Sequence, residues 1–172
     1  MLAHDIFNDV KRGKFMFHLF NRKKEDLIVA PFDGEMFSIT KVNDPVFAQK
    51  MMGDGIALKS TKDKLTVYAP ATGQLEVLFN TGHAFGIALE SGVKVLVHIG
   101  LDTVNAQGDG FKVLNKKQGD FVKALDPIVE VDLAKLSKDY DTTVMVVVTE
   151  AAGKQITFKK PMYVALGDSL IQ

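Results

Sequence analysis

The 172-residue sequence predicts an all-β fold, an antiparallel β-sandwich or flattened barrel with very little helix. Three observations carry that expectation. Segments with period-two alternation or dense β-branching recur along the chain. Gly- and Asp-rich turns separate them at short intervals, for example Asp33-Gly34, Gly53-Asp54-Gly55, Thr72-Gly73, Ser91-Gly92 and Gly108-Asp109-Gly110. Long stretches of helical periodicity are missing, and many short strands between tight turns favour a sandwich or barrel.

The expected strands, in order, are Glu35–Thr40, Lys64–Tyr68, Gln74–Phe79, Val93–Ile99, Ile128–Leu133 and Thr143–Thr149. The run Phe79, Thr81, His83, Phe85 shares one parity and extends the third strand toward residue 85. A hairpin through Ile87–Gly92 would then set residues 74–85 beside residues 93–99. Helix is expected only after Pro45, over Val46–Met51, and over Leu133–Asp139. An internal echo accompanies the strands. Ala30-Pro31-Phe32-Asp33-Gly34 returns as Ala69-Pro70-Ala71-Thr72-Gly73, and Gly55-Ile56-Ala57-Leu58 returns as Gly86-Ile87-Ala88-Leu89. The two separations differ, so the pattern fits two related β-units with unequal loops better than a solenoid.

Composition bounds the function. The chain holds no Cys, which removes disulfides, thiol catalysis and Cys-based metal sites. Lys+Arg and Asp+Glu are 21 each, too balanced a charge to favour nucleic acid as a partner. No apolar run approaches the ~18 residues that span a bilayer, so a cytoplasmic protein is expected. Residues 27–172 form the expected domain. Residues 1–26 differ from it: Lys11, Arg12, Lys14, Arg22, Lys23 and Lys24 surround the apolar run Phe15–Phe20. This basic, Phe-rich segment reads either as a weak contact to the inner membrane surface or a partner, or as a leader folded onto the domain.

Chemistry points to two of the four histidines. Around His98, alternation puts Val93, Val95, Val97 and Ile99 toward a core and Lys94, Leu96 and His98 away from it. The Gly100-Leu101-Asp102-Thr103 sequence that follows brings a carboxylate, a hydroxyl and turn amides close to the ring. His83 stands two residues from Thr81, whose hydroxyl can hold one ring nitrogen and fix the tautomer. Two imidazoles and Asp102 suit either phosphoryl transfer or a zinc site. In the first, one His is the nucleophile and the second donates a hydrogen bond to the phosphoryl oxygens. The second would make a zinc-dependent hydrolase from His83, His98 and Asp102, but it lacks a third imidazole and an evident general base.

Gly92-Val93-Lys94-Val95-Leu96-Val97-His98-Ile99-Gly100-Leu101-Asp102-Thr103-Val104 resembles the active-site signature of the glucose-type enzyme IIA of the bacterial phosphoenolpyruvate-dependent sugar phosphotransferase system. Ala30-Pro31-x-x-Gly34, Val46-Phe47, Met52-Gly53-Asp54-Gly55, Thr81-x-His83-Ala84-Phe85-Gly86 and Gly108-x-Gly110-Phe111 stand in that family's order, so the likeness spans about residues 27–171. The resemblance implies a fold of the duplicated hybrid motif type. It implies that His98 is phosphorylated, that His83 stabilises the phosphoryl group, that Thr81 orients His83, and that Asp102 flanks the site. It further implies an apolar partner surface of Phe47, Met51, Met52, Phe79, Leu96 and Val104. The partners implied are the phosphocarrier protein HPr, the IIB domain of a sugar permease, and regulatory target proteins. No cofactor is required, although His83 and His98 are acceptable zinc ligands at a partner interface. In two places the chain departs from the pattern: Lys123-Ala124 occupies a late turn that commonly carries glycine, and Leu96 fills a rim position that can be aromatic.

Overall fold

The structure, a computed structural model, describes residues 26–172. Eleven strands are present among them: β1 Gly34–Ser38, β2 Asp54–Lys59, β3 Lys64–Tyr68, β4 Gly73–Leu78, β5 Ala84–Ala88, β6 Lys94–Ile99, β7 Phe111–Val113, β8 Phe121–Val122, β9 Pro127–Asp132, β10 Val144–Glu150 and β11 Met162–Val164. Two one-turn helices, α1 Pro45–Ala48 and α2 Leu133–Leu136, and two 3-10 turns, Ile39–Lys41 and Thr103–Ala106, complete the regular structure. The expectation of little helix holds. The segment after Pro45 is shorter than Val46–Met51: Asp44 caps it by accepting from the Val46 amide (2.8 Å), and Lys50 ends it in the left-handed region at φ 55°.

Eight strands form one antiparallel sheet in the order β11-β1-β2-β10-β6-β5-β4-β8, and β3-β9-β7 form a second sheet. Alternation explains why they stack. Val95, Val97 and Ile99 of β6, Val144, Val146 and Val148 of β10, and Phe85 and Ile87 of β5 bury themselves in one core with Val67, Ile128, Val129 and Val131 of the smaller sheet. Each such side chain contributes about 1.5–3 kcal/mol relative to exposure. The large sheet does not close, so the architecture is a sandwich.

The internal echo has a structural meaning. The sheet reads β11-β1-β2-β10 on one side of its centre and β8-β4-β5-β6 on the other, so β1 matches β4 and β2 matches β5. The residues ahead of each half behave alike. Ala30 donates to the Asp168 carbonyl (2.8 Å) and accepts from the Gly167 amide (3.0 Å); Ala69 does the same with Asp126 and Leu125 (2.8 Å each). Gly167 has φ 89° and Leu125 has φ 72°. The late turn around Lys123-Ala124 therefore keeps a glycine-type backbone with Leu125 at its left-handed position, a strain of about 1–2 kcal/mol for a residue with a Cβ.

Among the described residues, the outer face of the large sheet is covered on one side only. Residues 39–47 lay Ile39, Val42 and Phe47 over Ala57, Met145 and Val147 and form a second, smaller apolar cluster. Among the described residues no such layer lies on β5 and β6, and a groove remains.

Candidate active site

The strand pairing sets the histidines side by side. Ala84 lies opposite His98 across β5 and β6, which brings the preceding residue, His83, alongside the His98 ring. The ring centroids are 5.4 Å apart with an interplanar angle of 76°. The expected neighbourhood of the two segments is present, but the continuous strand through residue 85 is not. A turn interrupts it between β4 and β5, closed by the Gly82 amide donating to the Phe79 carbonyl (2.8 Å), and Gly82 takes φ 73°. His83 thus stands at the mouth of β5 rather than on a shared strand face with Phe79.

Each ring is held at Nδ1. His98 Nδ1 lies 2.8 Å from the Gly100 carbonyl oxygen. A carbonyl only accepts, so the proton sits on Nδ1 and the lone pair of Nε2 faces outward. Gly100 reaches this position with φ 79°, and a Cβ there would lie 2.4 Å from Thr103 Cγ2. Thr103 is fully buried and donates its hydroxyl to the Ile99 carbonyl (2.5 Å), which pins the turn behind the histidine. On the other ring, Thr81 Oγ1 and His83 Nδ1 are 2.5 Å apart. His83 is only 4% exposed, yet it borders the groove.

Aromatic rings back both imidazoles. Phe47 packs against His98 at 5.2 Å between centroids and Phe79 against His83 at 4.8 Å. The groove they help to form is about 600 Å³, with Phe47, Met52, Phe79, Leu96 and Val104 along its walls. Met51, though 70% exposed, does not border it. Phe47 serves twice, because its buried side also belongs to the smaller apolar cluster. Two carboxylates sit beside the rings, Asp102 in the left-handed region at φ 57° and Asp44 at the cap of α1. Asp44 is absent from the sequence-based set. Its only signal was the Asp-Pro helix start, which says nothing about a residue 54 positions away. Lys94 and Glu76 form an ion pair (2.8 Å) at the far end, over Gly86 of the intervening strand.

The electrostatics favour neutral rings. Burial lowers the His83 pKa, and the neighbouring His98 adds to the effect. Burial also lowers that of His98, opposed by the Gly100 carbonyl and by the charges of Asp44 and Asp102. Among the described residues, no group of three or more His, Cys, Asp or Glu side chains is placed to hold a metal ion.

Fold and site together define a small β-sandwich protein that presents paired, backed imidazoles in an apolar surface groove. A family model described as the EIIA 1 domain of the phosphoenolpyruvate-dependent sugar phosphotransferase system matches residues 26–153. The chain is 43% identical over 115 residues to a PTS system glucose-specific EIIA component of Oceanobacillus iheyensis, covering 67% of this chain and 68% of that protein. It is 39% identical over 142 residues to the one from Bacillus cereus, covering 81% and 84%. A PTS system glucose-specific EIICBA component of Staphylococcus carnosus matches at 37% over 146 residues, 84% of this chain but 21% of that protein. Among solved structures, glucose permease IIA from Mycoplasma capricolum is similar, with a TM-score of 0.77, 37% identity, and coverage of 84% of this chain and 93% of that one. The chain belongs to the EIIA family of the phosphoenolpyruvate-dependent sugar phosphotransferase system, and its role is that of a phosphocarrier in sugar uptake. The zinc-hydrolase alternative finds no support in these relatives.

Proposed function

We propose that His98 Nε2 takes a phosphoryl group from the phosphohistidine of HPr and passes it to the Cys of a IIB domain during uptake of a glucose-type sugar. The observation that carries this reading is the pair of rings 5.4 Å apart, one held at Nδ1 by a carbonyl. The relatives' names supply the sugar class and, in the fused EIICBA proteins, the company of further permease components.

The step balances simply. The Nε2 lone pair forms a P–N bond as the donor's P–N bond breaks, and the Nδ1 proton stays in place. The product ring is a phosphoimidazolium, whose charge strengthens its hydrogen bond to the Gly100 carbonyl. Phosphoryl transfer is loose, with charge on the equatorial oxygens, so positioning and electrostatics do the catalysis. If the Thr81 hydroxyl donates to His83 Nδ1, His83 Nε2 carries the proton and can donate it toward those oxygens. Such a donor in a water-poor site is worth about 3 kcal/mol, or about 100-fold in rate. Asp44 and Asp102 repel the arriving dianion, which keeps the phosphorylated state from becoming too stable to unload. The apolar walls suit brief docking by successive partners, and they exclude the water that would hydrolyse the intermediate. Zinc is no part of this cycle; an ion held by His83 and His98 would need further donors from a docked protein.

Incubation of the full chain with phosphoenolpyruvate and the two general phosphotransferase proteins, followed by mass mapping of acid-labile phosphate, tests the reading. Phosphate on the peptide containing His98 is expected. Phosphate on any other residue, or none, overturns it.

A further inference from the structure

We propose that the apolar run Phe15–Phe20 docks in the histidine groove, so that the chain carries its own competitor for that surface. These residues lie outside the described part of the structure; the groove, its charges and the place where the described residues begin point to them as its occupant. No described residue fills the groove, and its surface is apolar. Phe79 is 46% exposed, Val104 51% and Met52 39%, and clustered exposure of this kind marks a contact site. Beside the rings, Asp44 and Asp102 have no ion-pair partner among the described residues. The run Phe15–Phe20 offers the complement: Lys11, Arg12 and Lys14 precede it, and Arg22, Lys23 and Lys24 follow it.

The described residues also begin in the right place. Asp26 pairs with Lys154, and the Lys154 amide donates to the Ala151 carbonyl (2.9 Å) just past the end of β10. There Glu150 lies opposite Lys94, which borders the groove together with Thr149. From Asp26 back to Phe20 is six residues, up to about 20 Å when extended. From Lys94 to His98 along β6 is four residues, about 13 Å. Phe15 is eleven residues from Asp26, up to about 36 Å when extended, so a chain laid along β6 would bring the Phe15–Phe20 run within reach of the imidazoles. The tether gives a millimolar effective concentration, so weak contacts suffice and a visiting protein can still displace them.

The absence of Cys makes the test clean. Asn21→Cys in the full chain carries one nitroxide label, and amide resonances report where it lies. Broadening strongest at Gly86, Leu96 and Val104, and abolished when Phe15, Phe17 and Phe20 are all changed to Ser, is the expected result. Broadening centred on Tyr68 and Phe111 of the smaller sheet overturns the proposal. So does unlocalised broadening, or broadening that appears only with anionic lipid vesicles. A kinetic arm rests on the phosphocarrier reading, whereas the label does not. There the triple Ser variant lowers the KM for phosphorylated HPr about two- to fivefold at constant kcat, as removal of a partly populated closed state requires. An unchanged KM overturns the competition.

Discussion

His98 and His83 are coupled rings in a half-dry setting, and their protonation follows from it. Both pKa values lie below the ordinary imidazole value, chiefly because burial disfavours the cation. The unfolded chain titrates near pH 6.5. Below that pH it takes up protons the folded state refuses, so stability falls as acid is added and levels off only below the folded pKa values. Urea midpoints measured from pH 7.5 to 5.5 should therefore decline, and the double variant His83→Gln with His98→Gln should give a flatter profile. Asp44 permits a sharper test. Asp44→Asn keeps a good helix cap, so stability should change by no more than about 0.5 kcal/mol. Removal of its charge should lower the His98 pKa further in an NMR titration; an unchanged value would take Asp44 out of the site. At this scale the sequence displays His98, His83, Thr81 and Asp102, because they cluster within 22 positions. Asp44 and the Gly100 carbonyl are silent in it, one joined to the site by folding and the other a backbone atom.

The turn that ends β6 converts strand geometry into ring orientation. Gly100 alone can hold φ 79° this close to Thr103, and its carbonyl decides which nitrogen of His98 is free. Gly100→Ala should destabilise by about 2–4 kcal/mol through the clash and the positive φ. Thermal melting measures that loss, and an unaltered Tm would show that the turn is not constrained as described. Elements with β-branched alternation were legible almost to the residue: Lys64–Tyr68 matches β3, and Val93–Ile99 differs from β6 by one position. Strand β2 shows only as the Gly-Ile-Ala-Leu echo, and β5 as the same echo together with the run through Phe85 that the turn at Gly82 breaks. Small residues such as Gly55, Ala57, Gly86 and Ala88 weaken the strand pattern. β5 needs them, because Ala84 and Gly86 form the groove and a larger side chain would fill it. β7, β8 and β11 span only two or three residues each, too short for periodicity to register.

At the scale of the fold, one sheet is built from two matched halves, and among the described residues only one half keeps an open outer face. Residues 39–47 cover the β2 and β10 side with Phe47 and its neighbours; no other described residues cover β5 and β6, and the histidines stand at the boundary. That division, more than any single side chain, makes a relay surface: a rigid sheet below, one ring in the groove wall, and apolar ground that successive proteins can cover. The repeat was visible in the sequence as paired Ala-Pro-x-x-Gly strings, but which half would be covered was not. Coverage depends on how a loop packs, and no period encodes it. The relay itself is tested most directly by transfer from phosphorylated HPr to the full chain, with His98→Ala and His83→Gln beside the wild type. The account predicts one phosphoryl group per wild-type chain, none on His98→Ala, and loading of His83→Gln with onward transfer to a IIB domain slowed about 100-fold or more. Equal labelling of wild type and His98→Ala would contradict it.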